Sequence, residues 1–271
     1  ESKQGIIAAA AGANGAYGIV ELNCETDFVA KNATFVELTK KLLALALDNK
    51  VKSIDELKAL TIDGRTVAEL VVEESGKTGE KTEISAYEYL EGASVTSYNH
   101  FGNKLSTIVS FNLEGVDAQV MRDVAMQVAA MNPVAVNREA VPQNIIDSEL
   151  SVAVEKTKEE LVKKAVDAAL HKAGINPNLV DSEDHIESNM AKGWLTQEEA
   201  DKARKISKET AEAKAANLPE AMIKNIANGR LNKFFKESCL MEQEYVKDGK
   251  LTVGQYLETS SKGLVAVAFK R

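Results

Sequence analysis

Residues 17–23 read YGIVELN and residues 106–112 read STIVSFN, so that Ile19, Val20, Leu22 and Asn23 return 89 positions later as Ile108, Val109, Phe111 and Asn112. Each stretch is β-branched and apolar enough to be a strand, and each has the same company. Upstream of the first lies Ile6 to Ala11, a second extended run, separated from it by AGANGA, where Asn14 and Gly15 supply the positive φ of a tight turn. Upstream of the second lies Ser94 to Asn99, separated by the turn FGNK. A helix follows both. Thr34 with Glu37 forms a capping-box signature before Phe35, Leu38, Leu42 and Leu45, and Val120, Val124, Val128 and Met131 keep helical spacing before Pro133 stops them. Strand, turn, strand and helix therefore occur twice. The fold class expected is α+β, two related subdomains of antiparallel strands packed with helices.

Between the repeats, Ser53 with Glu56 opens a short helix, Arg65 to Ser75 forms another that Gly76 is placed to end, and Thr82 to Tyr89 returns to extended character. From about Ile145 the composition shifts to Ala, Glu and Lys with few aromatics, which reads as a helical arm. Gly174, Pro177 and Gly193 divide it, Thr196 with Glu199 caps a new helix, and Pro219 suits the first residue of a helix reaching toward Phe235. Leu240 to Val246 and Leu264 to Lys270 read as strands that return to complete the second subdomain, making the arm an insertion. The expected division is residues 1–112 for the N-terminal core subdomain, 113–146 and 230–271 for the two parts of the C-terminal core subdomain, and 147–229 for the inserted helical arm.

The 271 residues are 44% hydrophobic and 27% charged, the balance of an ordinary soluble protein, and the longest apolar runs fall short of a membrane span. A net charge of -8 disfavours direct contact with nucleic-acid phosphates. Cys24 and Cys239 are too few for a disulfide framework, so a cytoplasmic protein is expected. The sequence opens at Glu1 directly into a strand-like run, so the natural start is expected upstream.

Chemistry is hard to find. His100, His171 and His185 are far apart and belong to no metal-binding pattern, and Asp181, Glu183 and Asp184 lack the alternation and glycine of a calcium loop, so neither metal nor cofactor is expected. ESGKTGEK around Gly76, Lys77 and Thr78 ends like a phosphate loop, but Val71 stands where its first glycine belongs and a helix precedes it instead of a strand. No nucleophile, base and orienter set emerges, so no catalytic residue is named and an enzyme is not expected. The feature that needs explaining is CETDFVAKNA, residues 24–33, which puts Phe28 and Val29 on a connection beside Asp27 and Lys31. Phe28 either folds back over the sheet to pin the following helix or points outward to anchor a partner.

NCETDFVAKN at Asn23 to Asn32 resembles the signature of the bacterial elongation factor Ts family, exchange factors for elongation factor Tu with TDFV at their core. SYNHFG at Ser97 to Gly102, DVAMQVAAMNP at Asp123 to Pro133, NGRLNKFFKESCLMEQ at Asn228 to Gln243 and VGQYL at Val253 to Leu257 are similar to further segments of that family, in its order. The resemblance implies a guanine-nucleotide exchange factor. Its TDFV loop, here Thr26, Asp27, Phe28 and Val29, would enter the GTPase and dislodge the magnesium ion that holds GDP. His100 and Gln127 would be lesser partner contacts; Gln127 stands where the family commonly has His, Lys104 where it has Arg, Ser106 where it has Gly and Glu244 where it has Pro. The family's small N-terminal helical domain has no counterpart in these residues. The arm is much longer than the family's short coiled hairpin, either a tolerated surface insertion or a homodimer or accessory contact. A non-exchanging adaptor or chaperone binding through the arm is the alternative reading.

Overall fold

In a computed structural model of the chain, which describes residues 4–12 and 15–271, the two repeated stretches become the middle strands of two three-stranded antiparallel sheets. In the first sheet, β1 (Gln4–Ala11) and β5 (Glu83–Leu90) flank β2 (Tyr17–Cys24). In the second, β6 (Ser94–Asn99) and β10 (Ala266–Lys270) flank β7 (Ser106–Phe111). Register follows the hairpins, Ala8 opposite Val20 and Thr96 opposite Val109. Gly15 adopts φ +80° as the turn requires, while Asn14 lies outside the described residues.

Between β2 and β5 run α1 (Asp27–Ala30), α2 (Ala33–Asp48), α3 (Ile54–Ala59), a two-stranded ribbon of β3 (Thr61–Ile62) and β4 (Arg65–Thr66), and α4 (Val67–Thr78). The apolar face of α2, with Phe35, Leu42, Leu43, Ala46 and Leu47, packs with Val20, Leu22 and Ile84 into the first core. Gly18 permits the close approach, since a Cβ there would stand 2.9 Å from a methyl of Leu47 and 3.0 Å from the Glu88 carbonyl oxygen. The second core repeats the plan with α5 (Ala118–Met131) and α10 (Val253–Ser260) against Val109, Phe111 and Ala266. The remaining faces of the two sheets meet through Ala9, Ile19, Leu90, Val95 and Ile108. All six residues of β7 are therefore buried, although a lone antiparallel sheet would leave one face wet.

Polar stitches join the edge strands β1 and β6. The Asn99 amide accepts from Ala9 N at 2.7 Å and donates to Ala9 O at 2.9 Å. Ser106 Oγ donates to Asn99 Oδ1 at 2.7 Å and fixes that amide's orientation.

The structure corrects several expectations at element ends. Helix α2 starts from Asn32, whose side chain accepts from Thr34 N, so Thr34 is inside the helix and is not its cap. Gly76 lies within α4; the stop is Gly79, in the left-handed conformation at φ +73°. Leu240 to Val246 does not form a returning strand. It is a short 3-10 turn (Leu240–Glu242) followed by a ribbon of β8 (Glu244–Tyr245) and β9 (Asp248–Thr252), because the amides of Leu240 and Met241 bond to the Ala135 and Val136 carbonyls. Only β10 completes the second sheet.

The chain divides into two compact units, residues 1–141 with 235–271, and residues 142–234. The first contains both sheets. The second comprises α6 (Gln143–Lys172), α7 (Glu183–Ala191), α8 (Gln197–Ala216) and most of α9 (Glu220–Ser238). Its own core is Leu170, Ile175, Val180, Ile186, Leu195, Ala200 and Ala203. Trp194 is 63% exposed beside it, with Lys192 Nζ 4.9 Å from the ring centre. Among the described residues no helix is long and apolar enough to cross a membrane.

Candidate functional site

TDFV is not an open loop: Asp27–Ala30 is one turn of helix capped by Thr26, whose side chain accepts from Val29 N. Four residues cannot hold a helix by themselves, since nucleation costs more than one turn returns. The turn is held from three directions. From inside, Ala30 is fully buried and Val29 packs against the first core. From behind, the Glu80 carboxylate, in the α4 to β5 connection, accepts from Glu25 N at 3.1 Å, Thr26 N at 2.8 Å and Thr26 Oγ1 at 2.7 Å, while Lys81 N donates back to Glu25 Oε1 at 2.9 Å. From the second hairpin, Lys104 Nζ lies 3.3 Å from Asp27 and donates to Gly5 O at 2.8 Å.

These contacts set the electrostatics. Hydrogen bonds from Lys31 and Lys104 hold the Asp27 carboxyl below the usual carboxylate range, and the Thr26 hydroxyl with the Thr26 and Glu25 amides does the same for Glu80. Burial raises the Cys24 thiol, which donates to Thr26 O at 3.2 Å.

Phe28 is 85% exposed. Its ring forms one wall of a groove of about 430 Å³ bordered by Asn32, Phe35, Lys77 and Thr78. The ring therefore does not fold back over the sheet to pin the following helix. Asp27 is not free: its carboxylate is shared between Lys31 and Lys104.

The turn of the second hairpin is close by, tied through Lys104 and through Ile7 N, which donates to Asn103 O at 2.9 Å. It carries His100, whose Nδ1 is 2.8 Å from the Tyr98 hydroxyl, and Phe101, 98% exposed. Phe101 was missed by reasoning on the sequence, although an aromatic on a tight hairpin turn is the same signal that singled out Phe28. Gln127 is placed elsewhere. It is fully buried, its oxygen accepting from Val246 N at 2.9 Å and its amide donating to Glu244 O at 3.0 Å, so it braces the β8–β9 ribbon and presents nothing to a surface. Among the described residues, no group of three or more His, Cys, Asp or Glu side chains could hold a metal ion.

A family sequence model described as Elongation factor TS matches residues 25–166 and 152–271, which together take in the capped turn, both hairpin helices and the returning strand. The chain belongs to the elongation factor Ts family. An elongation factor Ts of Bacteroides thetaiotaomicron is 52% identical over 254 residues, 93% of this chain and 77% of that protein. One of Porphyromonas gingivalis is 43% identical over 259 residues, covering 95% and 74%, and one of Azobacteroides pseudotrichonymphae is 36% identical over 271 residues, covering 100% and 78%. Membership of the elongation factor Ts family makes this chain a translation elongation factor, a protein of protein biosynthesis.

Proposed function

We propose that this member of the elongation factor Ts family promotes release of GDP from elongation factor Tu by inserting the Thr26–Val29 turn and displacing the partner's magnesium ion. The observation that carries the reading is Phe28, a largely exposed aromatic ring on a turn bonded to Glu80 and Lys104. Exposing an aromatic ring costs hydrophobic free energy, and spending further bonds to keep it exposed makes sense when a partner supplies the burial. In this reading Phe28 is the wedge, Asp27 orients it, and Thr26 and Val29 set the shape of the turn. His100 on the second hairpin turn would add a flanking contact. The factor acts in the cytoplasm and has no active site of its own; the chemistry stays with the GTPase.

Factor and nucleotide must weaken each other by the same free energy, because the thermodynamic cycle closes. A thousandfold weakening needs about 4 kcal/mol. Burying one Phe side chain returns only about 1.5–3 kcal/mol. The remainder has to come from lost metal and phosphate contacts in the partner, against docking by the surrounding surface. Phe28→Ala is expected to fold as the parent does, within about 0.5 kcal/mol by urea unfolding because the ring is exposed, and to retain binding while GDP release slows. Stopped-flow release of fluorescent GDP from elongation factor Tu measures this: wild-type speed in the variant would reject the wedge, and release no faster with the parent chain than without it would favour a non-exchanging adaptor.

A further inference from the structure

We infer that Glu80 is the positioning residue of the partner-binding turn: its carboxylate locks the N-cap of Asp27–Ala30 and thereby sets the direction in which Phe28 leaves the surface. The inference deepens the exchange reading above and rests on it for its functional consequence. Its structural part stands alone.

The run SGKTGEK, which looks like a phosphate loop and is not one, acquires a role here. Thr78 ends α4, Gly79 turns the chain left-handed, and the next residue, Glu80, arrives at the start of a different helical turn 54 residues earlier in the chain. Thr78 Oγ1 accepts from Glu80 N at 3.2 Å, and Ser75 Oγ accepts from Thr82 N at 2.8 Å, so the main chain on both sides of the Glu80 to Lys81 segment is anchored to α4. Three donors then converge on the one carboxylate, the amides of Glu25 and Thr26 and the Thr26 hydroxyl.

An ionised carboxylate suits this place better than any neutral group. It only accepts, so it draws the Thr26 hydroxyl proton toward itself and leaves an oxygen lone pair facing Val29 N, the bond that closes the turn. A glutamine could offer one oxygen to some of the three donors and would present its own N–H groups to the rest. An alanine would leave the amides of Glu25 and Thr26 to water and the hydroxyl free to rotate. Because Thr26 is exposed, water can satisfy those donors, so the loss is one of orientation more than of fold.

The experiment uses the full chain with Glu80→Ala, Glu80→Gln, Phe28→Ala and the double variant Glu80→Ala/Phe28→Ala. By amide hydrogen exchange on the free protein, Glu80→Ala should speed exchange at Glu25, Thr26 and Val29 by about tenfold or more and leave the amides of β2 and α2 at parental rates. In release of fluorescent GDP from elongation factor Tu, Glu80→Ala should lower the rate at saturating factor by roughly tenfold with half-saturation little changed, Glu80→Gln should fall between it and the parent, and the double variant should be no slower than Phe28→Ala alone. Should Glu80→Ala not fold, Glu80→Gln carries the same measurements. Unchanged amide exchange at residues 25, 26 and 29 would overturn the inference, as would a double variant slower than Phe28→Ala by the full single-variant factor, which would put Glu80 on some other path. If Phe28→Ala releases GDP at parental speed while the amides of Glu25 and Thr26 loosen as expected, the wedge reading fails and the clasp survives.

Discussion

Asp123 on α5 is nearly sealed from solvent, yet its carboxylate is well supplied: Lys247 Nζ, Gln119 Nε2 at 2.8 Å and the Tyr256 hydroxyl at 2.8 Å all donate to it. Burial pushes its pKa up, and the three donors outweigh that and hold it below the usual carboxylate range. The folded pKa lies under the unfolded one, so the stabilisation is complete above the unfolded value of about 3.9 and disappears as pH falls through the folded value. Asp123→Asn should cost roughly 2 kcal/mol at pH 7, read from urea unfolding, with the gap to the parent narrowing below about pH 4. Gln127, one helical turn further on, should behave as a structural residue. Gln127→Ala unpairs the Val246 amide and the Glu244 carbonyl, and roughly 1–2 kcal/mol is expected, since water partly reaches that ribbon. The sequence shows an amide and a carboxylate on the same helix. That both are covered depends on where β8 and β9 return, more than a hundred residues later. Phe28 was legible as an anomaly because apolar residues on a connection are unusual; its direction was not, because Glu80 and Lys104, which hold the turn, come from distant parts of the chain.

At the level of elements, hairpins and amphipathic helices were readable and their ends were less so. Asn32 and Thr34 are both good cap residues two positions apart, and Asn32 takes the role because its side chain reaches both the amide and the hydroxyl of Thr34. Gly76 was the expected stop for α4, but the helix runs on to Thr78 and ends where Gly79 turns left-handed and its N–H donates to the Ser75 carbonyl. The β3–β4 ribbon and the single turn α1 are too short for any periodicity to announce them. Close packing at Gly18 yields a prediction on this scale. Gly18→Ala forces a methyl against Leu47 and the Glu88 carbonyl where α2 lies on β2, and a loss of roughly 1–3 kcal/mol in denaturant unfolding is expected.

For the molecule as a whole, the offset of 89 positions announced two sheets with like neighbours, and two sheets with like neighbours are what the chain forms. That the sheets lie face to face was hidden, because a middle strand rich in Ile, Val and Phe reads the same whether one or both of its faces are covered. The two units differ in what holds them. The first has two helix-on-sheet cores and a third between the sheets, whereas the clustered apolar core of the second is a small group around Leu170, Ile186 and Leu195 among charged helices. Native-state amide exchange should accordingly find the slowest amides on β2 and β7, with those of α6 and α8 outside that cluster opening well below the free energy of global unfolding.

Trp194 is the chain's single tryptophan, and it sits with its ring largely in water on the helical unit. Tryptophan emission from this protein is thus local to the helical unit, and its shift on unfolding is small because the ring already meets water. It changes with the helices around Leu195, and a sheet transition recorded by circular dichroism will pass it by if the two units unfold at different temperatures.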